Sequence, residues 1–442
     1  MQQAEDLTPD MPRWVRKCTD LPESRLIHVN SSARGGGVAE LLACLVDQQR
    51  QDGVNAGWAV VSGGAEFFHL TKEIHTLLHG VGEPAMLPVS ESLYRSTLDP
   101  QGRWLAERVG PSDVVVLHDP QVLGLAPALS RAGVRVAWHC HIGSAPGADT
   151  PHRAVWDFLE PYLQFVDVVL VSHADFAPPR RTAENLRVVL PAIDPESPKN
   201  REQTSAETRS LLFGMGLLPG SAPGPGVLVE QDMPLPGGAP TVLQVSRWDP
   251  LKGMEQVLAS IHSLPDDAHV VLAGPQPHEI LDAPEGLDVL ERVRRDRYGL
   301  PDRLRSRVHL VTLSMADVEL NALRVNALQR RADVIVQRSR QEGFGLTVTE
   351  AMLKGRAVVA SDVGGLRSQI HHGTNGLLIP SGGDDDGAVL AEAVSGLLVD
   401  ARYRERLGAE AARSVARRFL VSRLADDYRT EVHPGLERTA NV

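Results

Sequence analysis

Short apolar runs alternate with helical patterns twice along the chain. In the first half, the apolar runs predicted to be buried strands are Leu26–Val29, Trp58–Val61, Val114–Leu117, Val134–Trp138 and Val168–Val171. In the second half they are Val242–Val245, Val270–Leu272, Val308–Val311, Val334–Val336, Val358–Ala360 and Leu377–Ile379. Between the strands lie amphipathic patterns such as Val38–Arg50. This alternation predicts two α/β domains, each a doubly wound parallel sheet.

The region between the two halves has a different composition. Residues 196–240 are rich in proline, glycine, serine and charge, and include the run PGSAPGPG at 219–226. We interpret this region as an interdomain linker that carries a flexible insertion and one short helix near Thr208–Leu212. The predicted domains are therefore 1–195 and 241–419. The helical stretch 420–442 is predicted to pack back on the first domain.

Composition narrows the class of protein. With 442 residues the chain exceeds what one hydrophobic core usually supports, which agrees with two domains. A formal charge of −11 and an aromatic content of 4% argue against nucleic acid as a partner. Cys18, Cys44 and Cys140 are far apart, as is typical of a protein in a reducing cytoplasm. No signal peptide and no apolar stretch of ~20 residues is present, so we predict a cytoplasmic protein without a membrane span.

Residues 342–350, which read EGFGLTVTE, place two carboxylates around a glycine-rich turn. Glu342 follows a predicted strand, and Glu350 lies in the helix that comes next. Gly343 and Gly345 allow the backbone to approach a ligand closely, and a helix start presents N–H groups to an anion. A ligand with hydroxyl groups at one end and phosphate in the middle, such as a sugar nucleotide, fits this loop. The alternative is an ordinary capped helix with solvated acids.

Two further strand ends carry groups suited to phosphate. The first strand leads into Gly35, Gly36 and Gly37, a candidate phosphate cradle or a plain glycine turn. A dinucleotide-binding loop would need an acid at the end of the next strand, and residues 61–64 contain none. In the second half, Arg247 and Lys252 are five positions apart across a turn, so both can converge on one diphosphate. The alternative is a solvated pair of Arg247 with Asp249.

Histidines follow two strands of the first half. His118 and Asp119 come after one strand, and His139 and His141 after the next. His139 and His141 are two positions apart, so on an extended backbone both point to one face. A zinc site is conceivable, but no acid or thiolate is placed to complete it. A contact of His141 with a sugar hydroxyl and simple packing at the domain edge are the other two interpretations.

Taken in order, these motifs resemble a known family. They are residues 29–31 with 35–40, 71–80, 118–121, 140–142, 191–195, 246–253 and 342–355. The ordered set is similar to trehalose glycosyltransferring synthases and the related retaining trehalose phosphorylases of glycosyltransferase family 4. The resemblance implies the GT-B fold, in which two Rossmann-like domains face each other across a cleft. It spans nearly the whole chain apart from the termini and residues 203–238.

The resemblance also implies roles for single residues. Those assigned to the transferred sugar and its leaving phosphate are Arg247, Lys252, His141 and Glu342. Those assigned to the sugar nucleotide are Gly36, Gly37, Gly343, Gly345, Leu346, Thr347 and Glu350, the last as a ribose ligand. Candidate acceptor contacts are His118, Asp119 and His139. The resemblance implies attack on the same face as the departing phosphate, with no metal ion and no other cofactor.

Residues 138–143 depart from the family pattern. In those enzymes the segment more often reads WRCHID, whereas here His139 replaces the arginine and Gly143 the aspartate. The acceptor is therefore left open between glucose and another sugar, a cyclitol or a secondary metabolite. The expected donor is a nucleotide sugar such as UDP- or ADP-glucose, and a homodimer is a candidate assembly. A phosphorylase that uses inorganic phosphate, and a catalytically silent protein that binds a sugar nucleotide, remain alternatives.

Overall fold

The computed structural model describes residues 11–19, 24–33, 37–80, 82–84, 87–144, 150–179, 184–280, 285–381 and 386–432. Within these ranges the chain divides into two units. The first unit contains the described residues up to Ala192 together with those from Val421 onward. The second unit is Ile193–Leu420. The boundary expected at 195 therefore lies just inside the second unit.

The sheet of the first unit contains all five strands predicted for this half, with two further strands at its edges. Its strands are β1 (Arg13–Arg16), β2 (Arg25–Asn30), β3 (Asn55–Val60), β4 (Val114–His118), β5 (Arg135–Cys140), β6 (Val168–Val171) and β7 (Leu186–Val188). Their order is β1-β3-β2-β4-β5-β6-β7. All neighbours are parallel except β1, which runs antiparallel to β3. Parallel pairing brings the carboxyl ends of β2 to β7 to one edge of the sheet.

Helices cover both faces of this sheet. They include α1 (Gly37–Gln51), α2 (Ala65–Leu78), α3 (Leu87–Ala106), α4 (Ala126–Arg131) and α5 (Thr150–Leu163). Successive residues of a strand point to opposite faces, so Ile27 and Val29 enter the core that contains α2, α3 and α5. Leu26 enters the core on the other face, which contains α1. The doubly wound arrangement predicted for this half is confirmed.

The second unit repeats the plan. Its strands are β8 (Val227–Glu230), β9 (Thr241–Val245), β10 (His269–Pro275), β11 (Val308–Leu313), β12 (Val334–Gln337), β13 (Ala357–Ser361) and β14 (Leu377–Ile379). The order is β14-β13-β12-β9-β10-β11-β8, and only β8 is antiparallel to its neighbour. Its helices are α6 (Ser205–Gly214), α7 (Met254–Ala259), α8 (Gly286–Gly299), α9 (Asp302–Arg305), α10 (Val318–Arg331), α11 (Leu346–Leu353), α12 (Leu366–Gln369), α13 (Asp386–Val399) and α14 (Ala401–Arg418).

Residues 196–240 differ from the linker that their composition predicts. Thr204 caps α6 by accepting a hydrogen bond from the main-chain N–H of Glu207. The helix covers the short one predicted near Thr208, and it packs against α10. The prolines and glycines form tight turns, since Gly216 has φ +79 and a Cβ there would lie 2.5 Å from the nitrogen of Pro223. The segment then supplies β8 as an edge strand of the second sheet.

The last helix, α15 (Val421–Val432), lies against α1 in the first unit. Leu424, Tyr428 and Val432, spaced four apart on one helical face, are buried in the same core as Leu26. Arg423 binds the start of this helix to the first unit, because its guanidinium donates to the carbonyl oxygen of Leu190 at 2.7 Å. In the described part of the chain, no helix has both the length and the hydropathy to cross a bilayer.

Candidate functional site

The loop between β12 and α11 carries the two carboxylates singled out by the sequence. Gly345 is the N-cap residue just before α11 and has φ +87, a left-handed conformation that favours glycine. Two other glycines lie directly against the loop. A Cβ on Gly364 would be 2.0 Å from the carbonyl oxygen of Glu342, and one on Gly365 would be 2.2 Å from that of Gly343. The two backbones touch, and this contact fixes the position of the loop.

Glu342 is held by three side chains. Its Oε1 accepts from the ammonium of Lys252 at 2.7 Å, and its Oε2 accepts from Ser339 at 2.8 Å and Gln337 at 3.2 Å. Glu342 is 9% exposed, so this ion pair is largely shielded from water. Because both oxygens of the carboxylate are engaged, the pair has one defined geometry. The sequence predicted both residues for the site, and the fold joins them.

The turn after β9 positions the two cations. Asp249 closes the turn by accepting a main-chain N–H at 2.8 Å. Gly253 then reverses the chain with φ +64, where a Cβ would lie 2.2 Å from a neighbouring carbonyl oxygen. Lys252 points from this turn to Glu342. Arg247 lies 3.7 Å from Asp249, and about a third of its side chain is exposed. Both cations therefore follow the same strand, at the edge to which β12 also delivers Glu342.

Glu350 lies within α11 and is 2% exposed. Its Oε1 is 3.7 Å from the ammonium of Lys199, an ion pair longer than a hydrogen bond, and its Oε2 accepts from Gln329 at 3.4 Å. One turn further along, burial lowers the pKa of Lys354 to about 7. Glu350 is thus a buried carboxylate with cationic groups beside it. A ribose contact by this residue stays a prediction.

The start of α11 presents main-chain donors. Leu346 and Thr347 are its first two residues, and no hydrogen bond from their N–H groups is found within the described residues. The first N–H groups of a helix point outward and favour an anion. In the first unit, Gly37 is likewise the first residue of α1 and is exposed. Gly36 lies outside the described residues.

The histidines gather at the carboxyl edge of the first sheet. His118 ends β4, and His141 follows β5 directly. Asp119 joins them, because its carboxylate accepts from the main-chain N–H of His141 at 2.7 Å. Asp119 is the one non-glycine residue with positive φ in the described part of the chain. Burial raises the pKa of its carboxyl group to about 7.

The ring nitrogens of His141 both have partners. Nε2 lies 2.9 Å from Nδ1 of His118, and Nδ1 lies 3.0 Å from the hydroxyl of Ser172. His139 contacts the same hydroxyl at 3.2 Å, and its other nitrogen contacts Tyr428. Burial lowers the pKa of His141 to about 3 and places those of His118 and His139 well below the usual range. The three imidazoles are therefore neutral at pH 7.

One nitrogen from each of His118, His139 and His141 lies within 4.8 Å of the others, a spacing that a metal ion could bridge. Neutral imidazole is a common metal ligand. The hydrogen bonds among these rings, Ser172 and Tyr428 satisfy the same nitrogens without an ion. Independence from metal stays a prediction.

Several residues at these sites were missed by sequence reasoning. They are Gln337, Ser339 and Lys199 around the two glutamates, and His28, Gln49, Ser172 and Tyr428 around the histidines. Gln337 and Ser339 had a local signal, since they lie just before Glu342 at the end of a predicted strand. Tyr428 had none, because 289 positions separate it from His139.

Comparison with known proteins shows to which family the chain belongs. The model "Trehalose synthase, N-terminal domain" matches residues 28–178, and "Glycosyl transferases group 1" matches residues 239–400. Trehalose synthase of Rubrobacter xylanophilus is 34% identical, covering 91% of this chain and 89% of its own length. The chain belongs to the trehalose synthase family. Trehalose phosphorylase of Pleurotus pulmonarius is 27% identical, over 86% of this chain but 52% of its own length.

Solved structures agree on the fold of this family member. The α,α-trehalose 6-phosphate synthase of Burkholderia multivorans superposes with a TM-score of 0.68 at 16% identity, covering 93% of this chain and 97% of its own. Anabaena Alr3699/HepE, solved in complex with UDP-glucose, gives 0.63 at 18% identity, covering 92% and 98%. The GT-B fold expected from the resemblance is thereby confirmed. The protein is a glycosyltransferase with trehalose-related activity.

Proposed function

We propose that this chain transfers a hexosyl group, glucose in the first instance, from a nucleotide sugar to a sugar or sugar-like acceptor with retention of anomeric configuration. The shielded ion pair between Lys252 and Glu342 is the observation that carries the proposal. It sets a cation and a hydroxyl-binding carboxylate side by side at the carboxyl edge of a doubly wound sheet. Ligands bind at this edge in folds of this kind.

In the proposed reaction, the bond that breaks joins the anomeric carbon to the diphosphate. Negative charge develops on the departing phosphate, and Lys252 and Arg247 offset it. At ~4 Å and an effective dielectric constant near 20, one such ion pair is of order 4 kcal/mol before desolvation. The N–H groups of Leu346 and Thr347 would add main-chain donors to the same phosphates. Fixed donors of this type need no reorganisation as the reaction proceeds.

Retention requires that the acceptor attack the face from which the phosphate leaves, or that a carboxylate first form a covalent intermediate. Glu342 is poorly suited to the second route, because Lys252, Ser339 and Gln337 already engage both of its oxygens. We therefore favour the first route, in which the departing phosphate oxygen takes the proton of the acceptor hydroxyl. Positioning and charge stabilisation then supply most of the rate.

The acceptor is proposed to be a sugar or a sugar-like polyol and is not restricted to glucose. Gly143 has φ +147, and a Cβ there would lie 3.0 Å from the ring of Phe176. An aspartate, the residue more often found at this position in the family, is thus disfavoured by backbone and by space. The ring of His139, where the family more often has arginine, is fully buried. The two charged side chains common in the family at positions 139 and 143 are therefore missing. For this reason a cyclitol or another sugar is a candidate acceptor beside glucose. The proposed product is an α-glycoside related to trehalose.

Product analysis tests the proposal. The purified chain is incubated with UDP-, ADP- and GDP-glucose and with a panel of hexoses, cyclitols and other polyols, and the anomeric configuration of the product is read by NMR. We expect one donor to raise the melting temperature and to yield an α-linked product. The same assay is repeated after treatment with EDTA, and the rate is expected to be unchanged.

Three outcomes would contradict the proposal in different ways. A β-linked product would exclude retention. Formation of glucose 1-phosphate from trehalose and inorganic phosphate, without any nucleotide, would identify a phosphorylase. A nucleotide sugar that stabilises the chain but gives no product with any acceptor would favour the silent binding protein.

Replacing Glu350 by glutamine is expected to raise the KM for the nucleotide sugar about tenfold and to leave kcat within about threefold of the parent value. The change preserves the volume of the side chain but removes the charge beside Lys199. A ribose contact contributes to ground state and transition state alike, so its loss appears in KM. Initial rates at varied donor concentration give both constants. A fall in kcat comparable to the rise in KM would assign Glu350 to the chemical step instead.

A further inference from the structure

A continuous row of hydrogen bonds crosses the interior of the first unit. It links seven buried side chains, which we call the histidine chain. In order they are Gln49, His28, His118, His141, Ser172, His139 and Tyr428. The first five links measure 3.0, 2.9, 2.9, 3.0 and 3.2 Å. Each member is at most 7% exposed, and no carboxylate is among them.

The histidine chain has a preferred direction. A neutral imidazole donates from one nitrogen and accepts at the other, so the role of one ring sets the role of the next. If the carbonyl oxygen of Gln49 accepts from Nε2 of His28, each following ring also carries its proton on Nε2. The hydroxyl of Ser172 passes this order on to His139. The row then ends with the hydroxyl of Tyr428 donating to Nδ1 of His139, and every link is satisfied.

The opposite direction leaves an additional group without a partner. Nδ1 of His139 would then donate to Tyr428, and the tyrosine proton would need another acceptor. Within the described residues, the structure gives the Tyr428 hydroxyl no other hydrogen bond. At the other end of the row, the direction only decides which atom of the Gln49 amide lacks a partner. In the present orientation this atom is Nε2, which has no partner among the described residues. A buried donor without an acceptor costs about 1–3 kcal/mol, so Tyr428 selects the first direction.

The surroundings keep the rings neutral. Burial lowers the pKa of His28 to about 4, and the other three rings are shifted in the same direction. Charged groups that act on the row are Asp119, which binds the main chain of His141, and Arg423 and Asp427, which influence Tyr428. Protonation of any ring would make it a donor on both sides and reverse all links on one side of it. A change in the protonation of one ring therefore changes the hydrogen-bond directions of its neighbours as well.

The middle of the row lies at the edge where the acceptor contacts are expected. His118, His141 and Ser172 stand at or just after the carboxyl ends of β4, β5 and β6. His141 is the most exposed member. Tyr428, by contrast, lies on α15, inside the core.

We propose that Tyr428 is a positioning residue, which acts through the histidine chain to hold His141 in the neutral form that carries its proton on Nε2. Both nitrogens of His141 are then engaged, by His118 and Ser172, so a sugar that packs against His141 meets a ring held in one orientation. This role at the sugar rests on the function proposed above. The direction of the histidine chain does not depend on that function and is tested separately.

Nitrogen-15 NMR of the histidine rings tests the direction. The full chain is labelled at histidine and studied at pH 7, with metal content measured on the same sample. We expect His28, His118, His139 and His141 to show the neutral pattern with the proton on Nε2. In Tyr428→Phe the terminal donor is lost, the two directions become similar in energy, and signals of both tautomers are expected. Gln49→Met removes the end that does not select the direction, so its rings are expected to keep the proton on Nε2. The pattern of the parent protein tests the direction even if Tyr428→Phe fails to fold.

Kinetics test the consequence for the sugar. Tyr428→Phe is expected to lower kcat/KM about tenfold, because His141 is then no longer held in one orientation beside the sugar. The matched control is Tyr162→Phe, which removes a buried hydroxyl of the same unit for which the described part of the chain offers no hydrogen-bond partner. The control is expected to preserve both the tautomer pattern and kcat/KM.

Each other result overturns a defined part of the proposal. Mixed tautomers in the parent protein, or one equivalent of tightly bound metal with a metal-bound ring pattern, would overturn the histidine chain. A changed tautomer pattern in Tyr428→Phe with unchanged kcat/KM would overturn the positioning role. If the parent protein transfers no hexose at all, the proposed function fails and the role at the sugar fails with it. The tautomer pattern would still decide the direction of the row.

Discussion

Replacing Lys252 by alanine is expected to lower kcat about 100-fold or more. The ammonium has little exposure and lies 2.7 Å from Glu342, so it is a fixed charge in a site with little water. Loss of one preorganised donor to a developing negative charge typically reduces turnover by a factor of about 10²–10³. The affinity for the donor should change less, because the charge on the phosphate increases as the bond breaks.

Single-turnover rates at saturating donor measure this effect. Lys17→Ala removes an exposed lysine of the first unit and is the control, with an unchanged rate expected. Lys252→Arg should recover part of the rate, since the charge returns with a different shape. Arg247→Ala should produce a loss similar to that of Lys252→Ala. Rates within about threefold of the parent for both alanine variants would exclude the proposed stabilisation of the leaving group.

Replacing Gly364 by alanine is expected to lower the free energy of unfolding by about 3 kcal/mol. Gly364 has φ +44, and a Cβ would lie 2.0 Å from the carbonyl oxygen of Glu342. The obstacle is backbone, which cannot rotate away as a flexible side chain does. Either Gly364 or the loop at Glu342 must move, and a moved loop misplaces the carboxylate that holds Lys252.

Urea unfolding and kcat, measured on the same preparation, check both parts of this prediction. Gly238→Ala is the matched control, because a Cβ at that position meets no atom of the described residues within 4 Å. The control should be neutral or slightly stabilising, since alanine restricts the unfolded chain. Equal unfolding midpoints for Gly364→Ala and Gly238→Ala would show that the contact between the loops is less tight than the structure indicates.

The fold was largely predictable because its central strands are buried on both faces. Continuous apolar runs such as Val114–Leu117 and Val334–Val336 are typical of parallel strands whose two faces are both covered by helices. The edge strands β1, β7 and β8 were missed, since their residues are partly exposed and the runs are short. The composition of residues 196–240 predicts a linker, whereas the segment is folded, because proline and glycine are typical both of flexible segments and of tight turns.

The residues proposed to contact the donor could be selected for a local reason. Arg247, Lys252 and Glu342 follow strands of one parallel sheet, and the carboxyl ends of such strands meet at one edge. Their positions just after predicted strands therefore implied that they lie at the same edge of the sheet. The sequence did not predict the direct bond from Lys252 to Glu342. That bond depends on the order of strands in the sheet, which places β9 beside β12.

By itself, the sequence determined two doubly wound domains, the membership in the trehalose synthase family, and the side chains available to a sugar nucleotide. Those properties depend on apolar periodicity and on short motifs, which are local. Only the tertiary structure decided that Gly364 confines the Glu342 loop and that Tyr428 reaches His139. These contacts join residues far apart in the chain, and they exist because helices and loops must cover the sheets at van der Waals distance. No pattern along the chain encodes which distant atom fills that space.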